Sequence, residues 1–245
     1  MAKDKIRGRN PVLEALKSSR GIDRIYILKG PKRGPINEII KRAKENRISL
    51  EYVDRPTLDE IGQGKEHQGV VAMVAPYEYK GLEDLFTLAE QRQEDPFFII
   101  LDEIMDPHNL GSILRTADAV GAHGIIIPKR RSVGLTPAVA KTSAGAIEYV
   151  PVARVGNIRQ TIERLKERGL WITGADMEGD RPYYQADMLG PIGLVLGNEG
   201  KGISRLVKEK CDFLVKVPML GQIESLNVSV AAAILMYEVL RGRNL

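Results

Sequence analysis

The sequence predicts an α/β protein in two parts: a small N-terminal α/β domain, then a larger domain built on a parallel sheet. Three observations carry this expectation. In the first 75 residues the strand-like runs Arg24–Leu28, Ser49–Val53 and Val70–Val74 alternate with helical patterns at Ile36–Glu45 and Thr57–Ile61. After residue 95 come continuous apolar runs separated by helices, as strands buried on both faces of a sheet read. Between them, Ala75–Asp95 contains Pro76, Tyr77, Tyr79, Gly81 and a polar EQRQED tract, and reads as a linker with at most one helix. The expected division is therefore a domain over 1–75, a linker over 76–95 and a second domain over 96–245.

In order along the chain, Gly8-Arg-Asn-Pro-Val12 leads into a short helix from Pro11 to Ser18, with Asn10 as its cap and Pro11 first in the helix. The second domain opens with a strand at Phe97–Leu101, a helix at Asn109–Val120 and a strand at Gly124–Ile127. The basic turn Lys129-Arg130-Arg131 follows, then a helix near Thr136–Thr142, a strand at Glu148–Val152 and a helix at Ile158–Arg168. Strands at Leu170–Ala175, Ile192–Leu196 and Phe213–Val217, with a helix at Ile203–Lys210, precede a closing helix from about Asn227 to Leu240. No internal repeat or low-complexity tract is visible.

Composition excludes several classes. At 245 residues, 43% hydrophobic and 28% charged, the chain can bury a substantial core. It holds no uninterrupted apolar run of membrane-spanning length, and MAKDKIRGRN lacks the apolar region of a secretory signal. A lone Cys211 excludes an internal disulfide and fits a reducing cytoplasm. One cysteine with three scattered histidines gives no expectation of a metal site. Residues 1–75 hold 16 Lys+Arg against 10 Asp+Glu, whereas the other 170 residues hold 20 against 22. The basic excess thus belongs to the front of the chain, where it either engages a polyanion or is merely a solvated face.

Three clusters can carry chemistry, all at the ends of expected strands, where open α/β sheets bind ligands. The first runs from Asp102 to Ala117 and contains Asn109, Gly111 and Arg115. Asn109 and Arg115, about one and a half turns apart, either border one pocket or serve as a helix cap and a surface ion-pair partner. The second is Leu194-Val-Leu-Gly197-Asn-Glu199-Gly200-Lys-Gly202-Ile-Ser204. Its glycines permit a loop whose backbone wraps a ligand, or an ordinary turn. It is neither a dinucleotide fingerprint nor a P-loop, and Glu199 within it favours an adenine, ribose or ammonium-bearing ligand over phosphate. The third is Val217 to Ser229, where Glu224, Ser225, Leu226 and Asn227 open an alanine-rich apolar helix. Ser225 and Asn227 there are either caps or site residues.

In this order and spacing, the three clusters resemble the SpoU (TrmH-like) family of RNA ribose 2′-O-methyltransferases. The match is N-x-G-x-x-x-R at Asn109, Gly111 and Arg115, L-G-x-E-G-x-G at Leu196 to Gly202, and P-M…S-L-N-V-S-V-A at Pro218 to Ala231. It spans about residues 95–243, with no departure in the motifs. Gly8-Arg-Asn-Pro-Val12-Leu-Glu-Ala and His67-Gln-Gly69-Val look like the RNA-recognition domain of the bacterial 23S rRNA guanosine 2′-O-methyltransferase branch.

The resemblance implies an L30e-like N-terminal domain and a trefoil-knotted SPOUT-type domain that dimerises and binds S-adenosylmethionine. It implies cofactor contacts at Gly197, Val217 and Leu226. It also makes Arg115 the catalytic arginine, as base or as a hydrogen-bonding stabiliser, with Asn109, Glu199, Ser225 and Asn227 holding the target nucleotide, the arginine or the cofactor. The partner implied is 23S rRNA or its assembly intermediate. The alternatives are a tRNA ribose methyltransferase of the same family and a non-catalytic RNA-binding protein.

Overall fold

The computed structural model describes residues 4–18, 21–30, 34–75, 77–223 and 225–244. Cα packing divides the chain into two units: residues 1–78 with 135–149, and residues 79–134 with 150–245.

The first unit is a four-stranded mixed sheet of β1 (Asp4–Arg7), β2 (Ile22–Leu28), β3 (Ser49–Val53) and β4 (Val70–Val74), in the order β1-β4-β2-β3. β4 is antiparallel to both neighbours, and β2 and β3 are parallel. Helices α1 (Arg9–Lys17) and α2 (Pro35–Glu45) bring Val12, Leu16, Ile36 and Ile39 onto Ile25, Ile27 and Val74. The short α3 (Arg55–Gly62), capped by Asp54, seats Leu58 against Val53 and Val71.

Two local expectations change in this unit. β1 was not legible, because DKIR is a short, charged edge strand whose pairing with β4 is non-local. Helix α1 starts at Arg9, so Asn10 lies inside it and is not its cap. Gly8 precedes the helix at φ 95°, ψ 157°, a conformation that suits glycine. Across the fold, Gln68 accepts from the Arg9 amide at 3.1 Å and, through its carbonyl, from Arg9 Nε at 3.1 Å. A distant residue supplies what a local cap would have supplied.

Residues 135–149 also belong to this unit. They form α6 (Pro137–Thr142), capped by Thr136, and a 3₁₀ turn at Ala146–Glu148. Tyr149 donates its hydroxyl to Glu14 Oε2 at 2.7 Å, and Ser18 Oγ donates to Glu148 Oε2 at 3.1 Å. These bonds fix Glu148 and Tyr149 in a turn where the sequence predicted a strand, and the strand forms later.

The second unit holds a seven-stranded, wholly parallel sheet: β5 (Phe97–Leu101), β6 (Gly124–Pro128), β7 (Val152–Val155), β8 (Trp171–Ala175), β9 (Arg181–Pro182), β10 (Ile192–Leu196) and β11 (Phe213–Lys216). Their order is β7-β6-β5-β10-β8-β11-β9. Every residue of β5 and β10 is buried, as their unbroken hydrophobicity requires.

The predicted linker differs: α4 (Leu82–Arg92) packs Leu85 and Phe86 into the core of this unit. The Phe86 ring meets Phe98 edge-on at 4.9 Å, and Arg168 covers its other side while pairing with Glu83 at 2.6 Å. Helices α5 (Pro107–Ala119), α7 (Ile158–Glu167), α8 (Arg205–Lys208) and α9 (Val228–Asn244) complete the unit, with α5 packed on α9. No helix among the described residues is long and apolar enough to cross a membrane.

His123 gives this unit a pH dependence. It is fully enclosed, and its Nδ1 accepts from the Phe97 amide at 3.0 Å, so the ring proton sits on Nε2 facing Glu94 at 3.0 Å. Burial pushes its pKa below the ordinary histidine value, with Glu94 opposing the shift. The unfolded chain therefore binds this proton more readily than the fold does. The stabilisation is complete above about pH 6.5 and is lost as pH falls through the lower folded pKa. Melting temperature should drop between pH 7.5 and 5, and the slope should be shallower in His123→Asn. Equal slopes would remove His123 as the cause.

Candidate functional site

The site lies at the carboxyl ends of β5, β10 and β11. β5 and β10 are adjacent although 95 residues of sequence separate their paired positions, such as Phe97 and Ile192, and the segments leaving them are tied together. The Asp102 amide donates to Leu196 O at 2.8 Å, and Asp102 Oδ2 accepts from the Ser204 amide at 2.8 Å. Asp102 is only 6% exposed, so this carboxylate fixes the exit of the glycine-rich loop.

That loop is a tight hairpin. Asn198 and Gly202 exchange backbone hydrogen bonds at 3.0 and 2.8 Å, and Gly202 sits at φ 65°. Asn198 Oδ1 accepts from the Gly200 amide at 3.0 Å, while its Nδ2 donates to Glu103 O at 3.1 Å. Gly197 is buried, and a Cβ there would lie 2.1 Å from the Gly202 carbonyl carbon. Glycine is needed at 197 for the close approach of the Gly202–Ile203 backbone.

The hairpin presents Glu199 to two asparagines from distant parts of the chain. Asn109 Nδ2 donates to Glu199 Oε1. Asn227 Nδ2 donates to the same oxygen at 2.9 Å and lies 3.0 Å from Asn109 Oδ1. Asn109 stands on the first turn of α5, 5% exposed, whereas the cap of that helix is Asp106, which accepts from the His108 amide at 2.8 Å. The capping alternative for Asn109 is thus removed. Asn227 caps α9, its Oδ1 accepting from Ser229 N at 2.9 Å and Ser229 Oγ at 2.6 Å, while its Nδ2 turns to Glu199 and Asn109.

The other candidate residues are placed differently. Arg115 is exposed, about 120° round α5 from Asn109, and makes no hydrogen bond or ion pair among the described residues. Ile113, Leu114 and Ala117 of the same helix are fully buried. Ser225 is exposed and Leu226 half-buried; Glu224 lies outside the described residues. Val217, half-buried, follows β11 on the same sheet edge as Gly197. Sequence reasoning did not single out Asp102, Glu103, Asn198 or Ser229. An acid directly after the apolar run of β5 was the available signal for Asp102.

Chemically, Glu199 has amide donors on one oxygen and no ion pair with a cation among the described residues. Such an exposed carboxylate, at the mouth of a close-packed hairpin, suits a cationic or donor-bearing ligand better than an anion.

A family model described as SpoU rRNA Methylase family matches residues 96–237. The chain belongs to the SpoU rRNA methylase family. A second model, described as RNA 2′-O ribose methyltransferase substrate binding, matches residues 5–80. A Bacillus subtilis (strain 168) protein named for the TrmH family of tRNA/rRNA methyltransferases is 55% identical over 241 residues, spanning 98% of this chain and 96% of its own length. Among solved structures, the SpoU methyltransferase AviRb from Streptomyces viridochromogenes, in complex with the cofactor AdoMet, superposes with a TM-score of 0.82 at 25% identity, over 98% of this chain and 90% of that one. The A. aeolicus TrmH/SpoU tRNA modifying enzyme superposes at 0.55 with 30% identity, over 65% of this chain and 82% of its own. As a SpoU family member the chain is an RNA methyltransferase that uses S-adenosylmethionine, which sets aside the non-catalytic alternative. The donor set fits that cofactor, a sulfonium cation bearing an adenine.

Proposed function

We propose that this SpoU enzyme methylates a ribose 2′-hydroxyl of 23S rRNA, at a guanosine, and that it works in the cytoplasm as a homodimer with a knotted catalytic domain. The observation that carries the reading is the Asn109–Glu199–Asn227 cluster at the sheet edge, in a chain that also has the substrate-binding unit. Bound S-adenosylmethionine supplies an electrophilic methyl group. The backbone at Gly197, with Val217 and Leu226, holds it.

The chain's own residues handle the hydroxyl. A ribose hydroxyl is a weak nucleophile and needs help to lose its proton. In this reading Arg115, without a side-chain hydrogen bond or ion pair among the described residues, donates hydrogen bonds to the developing alkoxide or its flanking phosphate. A guanidinium stays protonated in proteins and is a poor base. Asn109, Glu199 and Asn227 orient the nucleotide or the arginine, and Ser225 stands exposed at the mouth of the same segment.

Support for the finer features is specific. Val230, Ile234 and Tyr237 fall on one face of α9, with Val230 and Tyr237 about half exposed, as a surface covered by a second copy would be. β10 lies between β5 and β8 although it follows both in sequence, and the final helix returns to α5, an order that accommodates a knot. Ribosomal RNA is favoured over tRNA because the A. aeolicus tRNA modifying enzyme matches only 65% of this chain.

The test is methyl transfer from labelled S-adenosylmethionine to protein-free, unmodified 23S rRNA and to bulk tRNA, with the product identified by mass spectrometry. The expected product is 2′-O-methylguanosine in 23S rRNA. Transfer to tRNA alone would overturn the substrate. Silence on both with cofactor bound would shift the substrate to an assembly intermediate.

A further inference from the structure

We propose that the basic turn Lys129-Arg130-Arg131 is a docking surface for backbone phosphates of the RNA substrate, and that Glu103 is a positioning residue linking this surface to the Glu199 hairpin. The inference rests on the RNA-methylating activity stated above. It concerns the second unit alone.

The turn follows β6 on the carboxyl edge of the sheet, the edge that carries Asn109, Glu199 and Asn227. It is held at both ends: the Lys129 amide donates to Val155 O at 2.8 Å, and the Val133 amide donates to Ile104 O at 2.9 Å. Arg154 donates from Nη2 to Lys129 O at 3.0 Å and lies over the Tyr79 ring at 5.0 Å, adding a fourth cation behind the turn. Lys129, Arg130, Arg131 and Arg154 are all exposed, and neither Lys129 nor Arg130 forms an ion pair among the described residues. A fixed loop whose Lys129 and Arg130 have no ion-pair partner among the described residues presents those cations to a polyanion.

One acid meets this patch. Arg131 Nη1 pairs with Glu103 Oε1 at 3.0 Å, and the arginine side chain is 80% exposed. An ion pair so exposed is weak, so a phosphate can take Arg131 from Glu103 at little cost. Both residues are non-glycine in the left-handed region, Glu103 at φ 59° and Arg131 at φ 56°, a placement that persists only when the surroundings enforce it. Glu103 leads inward as well. Its carbonyl accepts from Asn198 Nδ2 at 3.1 Å, and Asn198 shapes the hairpin that carries Glu199. Docking at the turn is thereby joined, through one residue, to the group that contacts Asn109 and Asn227.

The experiment uses the full chain and a 23S rRNA transcript. RNA affinity is measured across salt for wild type, Lys129→Ala/Arg130→Ala/Arg131→Ala and Glu103→Gln, with S-adenosylmethionine affinity and melting temperature as controls. Losing three phosphate contacts should weaken binding about tenfold or more and reduce the salt slope by roughly two, with both controls unchanged. Glu103→Gln removes the competing charge and should tighten RNA binding by roughly two- to threefold at low salt, a gain that a merely structural glutamate would not give. Equal salt slopes in wild type and the triple variant, or no gain in Glu103→Gln, would overturn the proposal. Wild type reads the substrate assignment separately: a transcript that it neither binds nor methylates overturns the 23S assignment, and the slopes are then compared on tRNA.

Discussion

Arg115→Ala is expected to lower kcat for methyl transfer by about 100-fold or more while leaving S-adenosylmethionine affinity and melting temperature essentially unchanged. The structural reason is the isolation of this side chain. Arg115 is exposed on α5 and has no side-chain hydrogen bond or ion pair among the described residues, so removing it breaks no such bond among them. Its helix is anchored by Leu110, Ile113, Leu114 and Ala117, none of which the substitution touches. Arg115→Lys keeps a charge but not the planar fork, and should recover only a small part of the rate. The checks are single-turnover kinetics with a methylatable RNA and equilibrium binding of the cofactor. Equal loss of turnover and cofactor binding would move Arg115 into the cofactor site, and wild-type turnover would remove it from the chemistry.

Gly197→Ala should produce the opposite pattern, with stability and cofactor binding failing together. An added Cβ at 197 would lie 2.1 Å from the Gly202 carbonyl carbon and 2.2 Å from the Ile203 nitrogen. Both are backbone atoms in a hairpin closed by two hydrogen bonds, so neither can turn aside as a side chain would. Overpacking of this kind costs about 1–3 kcal/mol or more, or roughly 2–4 °C of melting temperature per kcal/mol at this chain length. The displaced hairpin carries Glu199 away from Asn109 and Asn227, so cofactor affinity and activity should drop by at least about tenfold. Gly200→Ala is the internal control: its nearest neighbour is Asn198 Oδ1 at 3.7 Å, and it should be nearly silent. If Gly197→Ala melts and binds cofactor like wild type, the close approach is not what position 197 requires.

The two substitutions separate what the motifs run together. In sequence, Asn109, Arg115, Gly197, Glu199 and Asn227 share one signature. In the structure, Asn109, Glu199 and Asn227 form a hydrogen-bonded cluster, Gly197 is the hinge of the hairpin supporting it, and Arg115 stands apart. A side chain with no partner among the described residues is available to a substrate, whereas one already bonded within the fold acts first by holding geometry.

Much of this protein is legible in its amino-acid order. Local hydrophobic periodicity located β2 to β6, α2, α7, β10 and β11 to within a residue or two, because buried strands and amphipathic helices must carry their burial pattern in the chain itself. The three motifs that contain Asn109, Glu199 and Asn227 carry the resemblance to the SpoU family, and the family model matches the same stretch. What the tertiary structure decided are the features that depend on distant residues. Helix α1 begins at Arg9 because Gln68 accepts its first amide, and β1 exists because β4 pairs with it. Residues 135–149 join the first unit through Glu14 and Ser18, and α4 is core because Phe98 and Arg168 enclose Phe86. Asp102 and Asn198, invisible as site residues in a linear reading, hold the Glu199 hairpin through bonds to Ser204 and Glu103. Periodicity records which face of an element is buried; it cannot record which partner buries it, and here the partners set the boundaries, the hairpin and the site.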